Sequence, residues 1–175
     1  MKKYVCGMVL VISVFCLCSG QVFATSTNTS HVVTITVPTL ISMQADQANF
    51  TLAFSDFASG SVSGNQVVNY SVKANNVTKT VGVVQAQLNS LFTGVNFQAN
   101  AGPYSLTGGN ASLLASNSGF VTVGTSATNL YNRNKLSGNG NIVYGSFPVT
   151  YQATATSDLS PSSSTSTLTV TFIDT

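Results

Sequence analysis

Short runs of alternating apolar and polar residues constrain the fold of this chain more than any other feature of its sequence. The odd positions of His31–Met43 are mostly apolar, and Val67–Val72, Phe147–Ala155 and Thr167–Ile173 alternate in the same way. Successive side chains of a β-strand point to opposite faces, so a period of two is typical of half-buried strands. Since helix-length periodicity is nearly absent, the pattern predicts an all-β protein.

The remaining runs are shorter and are bounded by Gly, Asn, Asp or Ser. They predict further strands at Phe50–Phe54, Val81–Leu88, Leu91–Ala99, Ser118–Val123, Leu130–Leu136 and Ile142–Tyr144. Residues 137–141, Ser-Gly-Asn-Gly-Asn, predict a turn before the run at Ile142–Tyr144. About eight to ten strands with frequent turns favour an immunoglobulin-like β-sandwich. Because Pro38 has no amide hydrogen, the run at His31–Met43 is either an edge strand or two strands split there.

The first 24 residues have the features of a secretory signal peptide. Lys2 and Lys3 precede an apolar stretch, and Val22-Phe23-Ala24 resembles the small-residue cleavage site of such signals. The interpretation divides the chain into a signal at Met1–Ala24 and one β-sandwich domain at Thr25–Thr175. It predicts a secreted product, located in the periplasm, at the cell surface or in an extracellular filament. Lipidation at Cys18 is the alternative, and it would tether the mature protein to a membrane.

The mature chain is poor in charge and contains no thiol. Lys2, Lys3 and all three cysteines lie in the predicted signal, which leaves a formally neutral chain of 151 residues. Four scattered cations cannot form a patch for nucleic acid, and no later run is long enough to span a bilayer. Stability must come from an apolar core or a partner chain, since disulfides are excluded.

Few residues could carry chemistry. His31 is the single histidine, and neither a Gly-x-Ser-x-Gly motif nor a close pair of carboxylates occurs. Zinc lacks ligands, while a calcium site built from Asp, Asn and carbonyl oxygens stays open. We therefore expect a protein that is not an enzyme, with no catalytic residue, no metal site and no cofactor.

Three short motifs between Val32 and Leu88 resemble the major subunits of colonisation-factor-type (class 5) chaperone–usher fimbriae, whose mature chains also lack cysteine. They are the alternating residues 33–38, Val-Thr-Ile-Thr-Val-Pro; residues 40–46, ending in Gln-Ala-Asp; and residues 75–81, which contain Asn-x-x-x-Lys. The resemblance implies a bacterial pilus subunit that begins with a donor segment and assembles by β-strand addition.

Two functions of different class follow. The first is a structural subunit of a surface filament or matrix that self-associates or joins another secreted subunit through a donor face of Val33, Ile35, Val37 and Ile41. The second is a monomeric adhesin or carbohydrate-binding module. Its ligand patch would consist of Tyr131, Arg133 and Lys135.

Overall fold

The computed structural model describes residues 30, 32–38, 40–75, 82–138 and 141–174. The chain divides into two compact units, Met1–Thr36 and Val37–Thr175. In the first unit the described residues, 30 and 32–36, are exposed and belong to no strand. The predicted signal peptide lies outside the described residues.

The second unit is built from strands joined by turns and loops. No helix occurs in the described part of the chain, and hence none that is long and apolar enough to cross a membrane. The ten strands are β1 (Ile41–Ala45), β2 (Gln66–Ala74), β3 (Gly82–Leu88), β4 (Val95–Ala101), β5 (Ser105–Gly109), β6 (Ala111–Ala115), β7 (Val121–Thr122), β8 (Thr128–Lys135), β9 (Val143–Ala155) and β10 (Leu168–Asp174). The predicted all-β fold class and strand number are confirmed.

The strands form two layers. In the first layer, β1 pairs with β2, and β2 pairs with one edge of β9. The other edge of β9 pairs with β5 and with β4, and β4 also pairs with β7. In the second, the order is β6, β8, β3, β10. A single parallel bridge between Ala111 and Val143 joins the layers. All other strand pairs are antiparallel, and β1 and β10 end the path of paired strands.

Alternating side chains of both layers make one apolar core. The predicted inward positions of β9 are all buried: Phe147, Val149, Tyr151, Ala153 and Ala155. In the core they lie beside buried residues of β2, chiefly Val68 and Val72, and face buried residues of β3 and β8, chiefly Val84, Leu88, Leu130 and Tyr131. The strand β9 is continuous where the sequence predicted two strands. Pro148 lies within it, and the carbonyl oxygen of Pro148 accepts a hydrogen bond from Gly102 N.

Several boundaries differ from the predictions. The sequence did not predict β5 and β6. In β5, the glycines of Ser105–Gly109 conceal the alternation. The predicted strand at Leu91–Ala99 begins only at Val95, and the one at Ser118–Val123 is reduced to Val121–Thr122. Phe50–Phe54 lies in no strand.

The N-terminal alternating run is also shorter than predicted as a strand. Residues 32–38 are in no strand, β1 begins at Ile41, and His31 and Thr39 lie outside the described residues. Asn75 fixes this start, because its Oδ1 accepts a hydrogen bond from Leu40 N at 2.6 Å and its Nδ2 donates to Pro38 O at 2.8 Å. The run His31–Met43, predicted as either one edge strand or two strands split at Pro38, contributes one described strand, β1, which begins after the proline.

Asp46 follows the C-terminal end of β1. Its carboxylate accepts hydrogen bonds from the backbone N (2.9 Å) and side-chain Nδ2 (2.8 Å) of Asn69. These bonds favour the charged form and lower the pKa of Asp46. The pair terminates the β1–β2 ladder, and the chain then leaves the sheet.

Candidate functional site

A large groove lies between β1 and β10, the two ends of the path of paired strands. It encloses about 1290 Å³, and its lining includes Met43 of β1 and Leu168 and Val170 of β10. Each of these two strands has one paired neighbour among the described strands. The groove is therefore placed where both layers of the sandwich have an open edge.

One wall of the groove is the extended segment that follows β1, residues 47–57, here called the phenylalanine segment. Phe50, Leu52 and Phe54 are half-buried and alternate with exposed residues, as the sequence predicted for a strand. Within the described part of the chain, however, only Ala53 O and Phe57 O of this segment take part in backbone–backbone hydrogen bonds. The segment has the side-chain pattern of a strand without a ladder partner.

The other wall is β10. Its inner edge pairs with β3 over all seven residues, and its outer edge pairs with no described strand. Phe172 is buried, but Leu168 and Val170 on the same face are only half-buried, because they border the groove. Backbone groups along an unpaired edge are ready to accept another strand.

Aromatic rings form the floor between these walls: Phe50, Phe92 and Phe97 line the groove, and they pack with the fully buried Tyr151. Phe50 stacks on Tyr151 with ring centroids 5.0 Å apart, and Phe97 lies 5.5 Å from Tyr151. Phe92 packs against Phe97 at 6.1 Å. Such pairs fix the rings in a defined arrangement. The three phenylalanine rings present apolar surface, so an apolar side chain that packs on them would be removed from water.

The floor also holds a buried pair of hydroxyl groups. The oxygens of Tyr70 and Tyr151 are 2.8 Å apart and share one hydrogen bond, in which either hydroxyl can donate. Burial raises the pKa of both phenols, and charge repulsion from Tyr70 raises that of Tyr151 further. Both groups are neutral in the folded protein at neutral pH.

This pair predicts a loss of stability in alkali. A folded-state pKa above the unfolded value of 10.0 means that the stabilisation is fully present below pH 10 and is lost as the pH rises above it. Urea unfolding between pH 8 and pH 11.5 should show a free energy of unfolding that declines only above pH 10. Tyr151→Phe should decline less steeply, because one buried phenol is removed, and equal slopes would contradict the assignment.

The predicted donor face divides in the structure. Val33, Ile35 and Val37 are 79%, 82% and 74% exposed. Ile41, by contrast, is the first residue of β1 and pairs with Ala74, and it is 47% exposed. Because the backbone of Ile41 already pairs in its own sheet, Ile41 is not part of the exposed segment that precedes β1. The candidate donor face is therefore Val33, Ile35 and Val37.

The alternative ligand patch is not assembled at the surface. Tyr131 is fully buried, and its hydroxyl donates toward the carbonyl oxygens of Gly102 (2.9 Å) and Pro148 (2.8 Å). Burial raises its pKa. Arg133 is half-buried and Lys135 is exposed. The interpretation of Tyr131 as a sugar-stacking ring is corrected, since a ring in the core offers no face to a ligand.

The groove brings together residues that the sequence did not predict to be close in space. Phe92, Leu159 and residues 160–167 lie far from the N-terminus in the sequence and line the groove with the phenylalanine segment. Only the pairing of strands brings them together. The one local signal was an alternating apolar run, Phe50–Phe54, which has no partner strand of its own.

A metal site is not apparent in the described part of the chain. It contains no group of three or more His, Cys, Asp or Glu residues that could hold a metal ion. No family model, no curated protein and no solved structure matches this chain. The function has to be argued from the groove and the exposed N-terminal residues.

Proposed function

We propose that this protein is a secreted structural subunit that assembles by β-strand addition into a surface filament or matrix. Residues 32–38, here called the donor segment, would enter the groove of a second copy and pair with β10. The observation that carries the proposal is that one chain has both an exposed alternating apolar segment and a groove with an aromatic floor between open strand edges. Strand addition joins two such elements through main-chain hydrogen bonds and side-chain pockets.

The lengths of the two elements agree. Residues 32–38 number seven, as do the residues of β10. At about 3.3 Å per residue each extends over roughly 20 Å. Val33, Ile35 and Val37 would then point to one face, toward Leu168 and Val170. The donor segment could thus cover the outer edge of β10 along its whole length.

The chemistry of the two elements agrees as well. The donor segment has no charged residue, and Asp56 is the one charged residue among those that line the groove. Three apolar side chains with exposures above 70% would lose most of their contact with water. Full burial of a Val or Ile side chain stabilises a complex by about 1.5–3 kcal/mol. The hydrophobic effect therefore favours occupation of the groove.

Strand order adds support. An immunoglobulin-type sandwich has strands A, B, E and D in one sheet and C, F and G in the other. Here β1, β2, β9 and β4 follow the order of A, B, E and D, while β3 and β10 correspond to C and F. No described strand takes the place of G beside β10. A donor segment in the groove would complete this arrangement.

Deletion of residues 25–37 tests the proposal. We expect the chain from Thr25 onward to form ladders of oligomers in size-exclusion chromatography with light scattering, and fibres in negative stain. The deletion should yield a folded monomer, because β1 and its Asn75 contacts are kept. That monomer should bind a synthetic peptide of residues 30–38, and a peptide with Ile35→Asp serves as the control.

Two results would reject strand donation between copies. The first is a chain from Thr25 that stays monomeric at every concentration, together with a deleted chain that is folded and binds no peptide. The second is a monomeric chain whose deletion variant unfolds. In that case the donor segment completes its own sandwich, and the protein is not a polymer subunit of this kind.

A further inference from the structure

We propose that residues 160–165, here called the strap, gate the groove at the end where β10 begins. This inference rests on the proposed function, because it assigns a regulatory element to the same groove. The strap has the sequence Ser-Pro-Ser-Ser-Ser-Thr, and all six residues line the groove. Its position follows from the anchors on either side of it.

The first anchor joins the chain to the phenylalanine segment. Leu159 N donates a hydrogen bond to Phe57 O at 2.8 Å, and Asp158 Oδ1 accepts one from Ser59 N at 2.9 Å. Leu159 is half-buried and lines the groove. The chain enters the strap from the wall that follows β1.

The second anchor joins the chain to the connection after β3. Ser166 Oγ lies 2.8 Å from both Asn89 Oδ1 and Ser90 O, and Asn89 Oδ1 also accepts a hydrogen bond from Thr167 N at 2.8 Å. Asn89 N donates to Thr167 O at 3.0 Å. Leu168 then begins β10. The strap therefore ends at the opposite wall and bridges the groove from one side to the other.

Between its anchors the strap is held weakly. All six of its residues are exposed, and none makes a hydrogen bond within the described part of the chain. Small polar side chains gain little from staying in place. In the second anchor, the exposed side chain of Asn89 accepts two of the four hydrogen bonds just described, those from Ser166 Oγ and Thr167 N. The strap can open at this end without disturbing the strand ladder.

An occupant of the groove would meet the strap directly. A segment paired along all of β10 must reach Leu168, where the strap crosses between the walls. We infer that the strap swings away from Asn89 to admit the segment and closes behind it. Release of the Asn89 anchor should therefore speed entry, by roughly three- to tenfold if it removes about one net hydrogen bond.

The experiment measures access to the groove in the Ile35→Asp variant of the chain from Thr25 onward. We expect this variant to be monomeric, because it keeps the groove and carries an impaired donor segment. Stopped-flow fluorescence would follow binding of an apolar naphthalene sulfonate dye, and labelled peptide 30–38 would be followed separately. Asn89→Ala removes the two hydrogen bonds that Asn89 Oδ1 accepts from Ser166 and Thr167. Asn96→Ala on β4 is the matched control, since Asn96 is exposed and its side chain makes no hydrogen bond with the described residues. Pro161→Gly, which only loosens the strap, is a second test variant.

Faster dye binding in Asn89→Ala and Pro161→Gly, with no change in Asn96→Ala, is the expected result. Unchanged dye rates in both test variants would overturn the gate. If dye binding accelerates but no chain binds the peptide, the gate stands and the proposed function fails. If the dye rates are unchanged and the peptide binds at the same rate in every variant, the proposed function stands and the gate is overturned.

Discussion

Replacing Ile35 by Asp should abolish polymers of the chain from Thr25 onward. Ile35 is the middle residue of the donor face, so strand addition would place the new carboxylate against the aromatic floor of the groove. An unpaired charge in such a site costs several kcal/mol. The association constant should fall at least about a thousandfold. Light scattering and negative stain would measure the loss.

Thr34→Asp is the matched control. It adds the same charge one residue away, on the opposite face of an extended segment, where it would stay in water. We expect Thr34→Asp to polymerise nearly as well as the unchanged chain. Equal loss in both variants would mean that net charge, and not the buried face, controls assembly. Equal polymerisation in both would remove the donor segment from the interface.

A complementary variant on the groove side sharpens this test. Val170→Asp should block the groove while leaving the donor segment intact, and Thr171→Asp, which is exposed on the neighbouring position, is its control. Mixing the Val170→Asp and Ile35→Asp chains should give dimers and nothing longer, because one chain supplies the segment and the other the groove. A mixture that stays monomeric would argue against pairing between these two elements.

Much of the fold could be predicted because it depends on local alternation. The inward face of β9 and the positions of β2, β3 and β10 follow from a period of two. The start of β1 could not be predicted, since the alternation of His31–Met43 continues through Pro38 without interruption. Its position is set by Asn75, a contact across more than thirty residues.

The candidate site shows the same division. The sequence predicted Phe50, Leu52 and Phe54 as one face, and that face lies in the groove. Alternation alone does not show whether an extended segment pairs with another strand. The sequence therefore predicted Phe50–Phe54 as a strand, although it forms an unpaired wall of the groove. Similarly, an aromatic residue near Arg133 and Lys135 suggested a surface patch. Only the packing of β8 against β9 shows that Tyr131 points into the core.

Tyr131→Ala is expected to destabilise the protein by about 3–5 kcal/mol, the usual cost of removing a buried aromatic ring. The ring centroid lies 4.5 Å from that of Phe147, and its one hydroxyl proton is shared between the carbonyl oxygens of Gly102 and Pro148. For a chain of this size the melting temperature should fall by roughly 6–20 °C. Differential scanning calorimetry would measure it.

Tyr131→Phe separates the two parts of this effect. It keeps the ring and removes only the hydroxyl, which leaves Gly102 O without its donor, while Pro148 O still accepts a hydrogen bond from Gly102 N. One lost hydrogen bond of this kind should cost about 1–2 kcal/mol. A Tyr131→Ala variant with an unchanged melting temperature would contradict the buried position.

These values decide how a glycan-binding experiment on Tyr131 must be interpreted. Loss of binding in Tyr131→Ala would be expected from partial unfolding alone, whichever surface held the sugar. Tyr131→Phe keeps the fold and the ring, and Lys135→Ala alters the exposed end of the patch without touching the core. A carbohydrate site at this position would require binding that survives Tyr131→Phe and is lost with Lys135→Ala at an unchanged melting temperature.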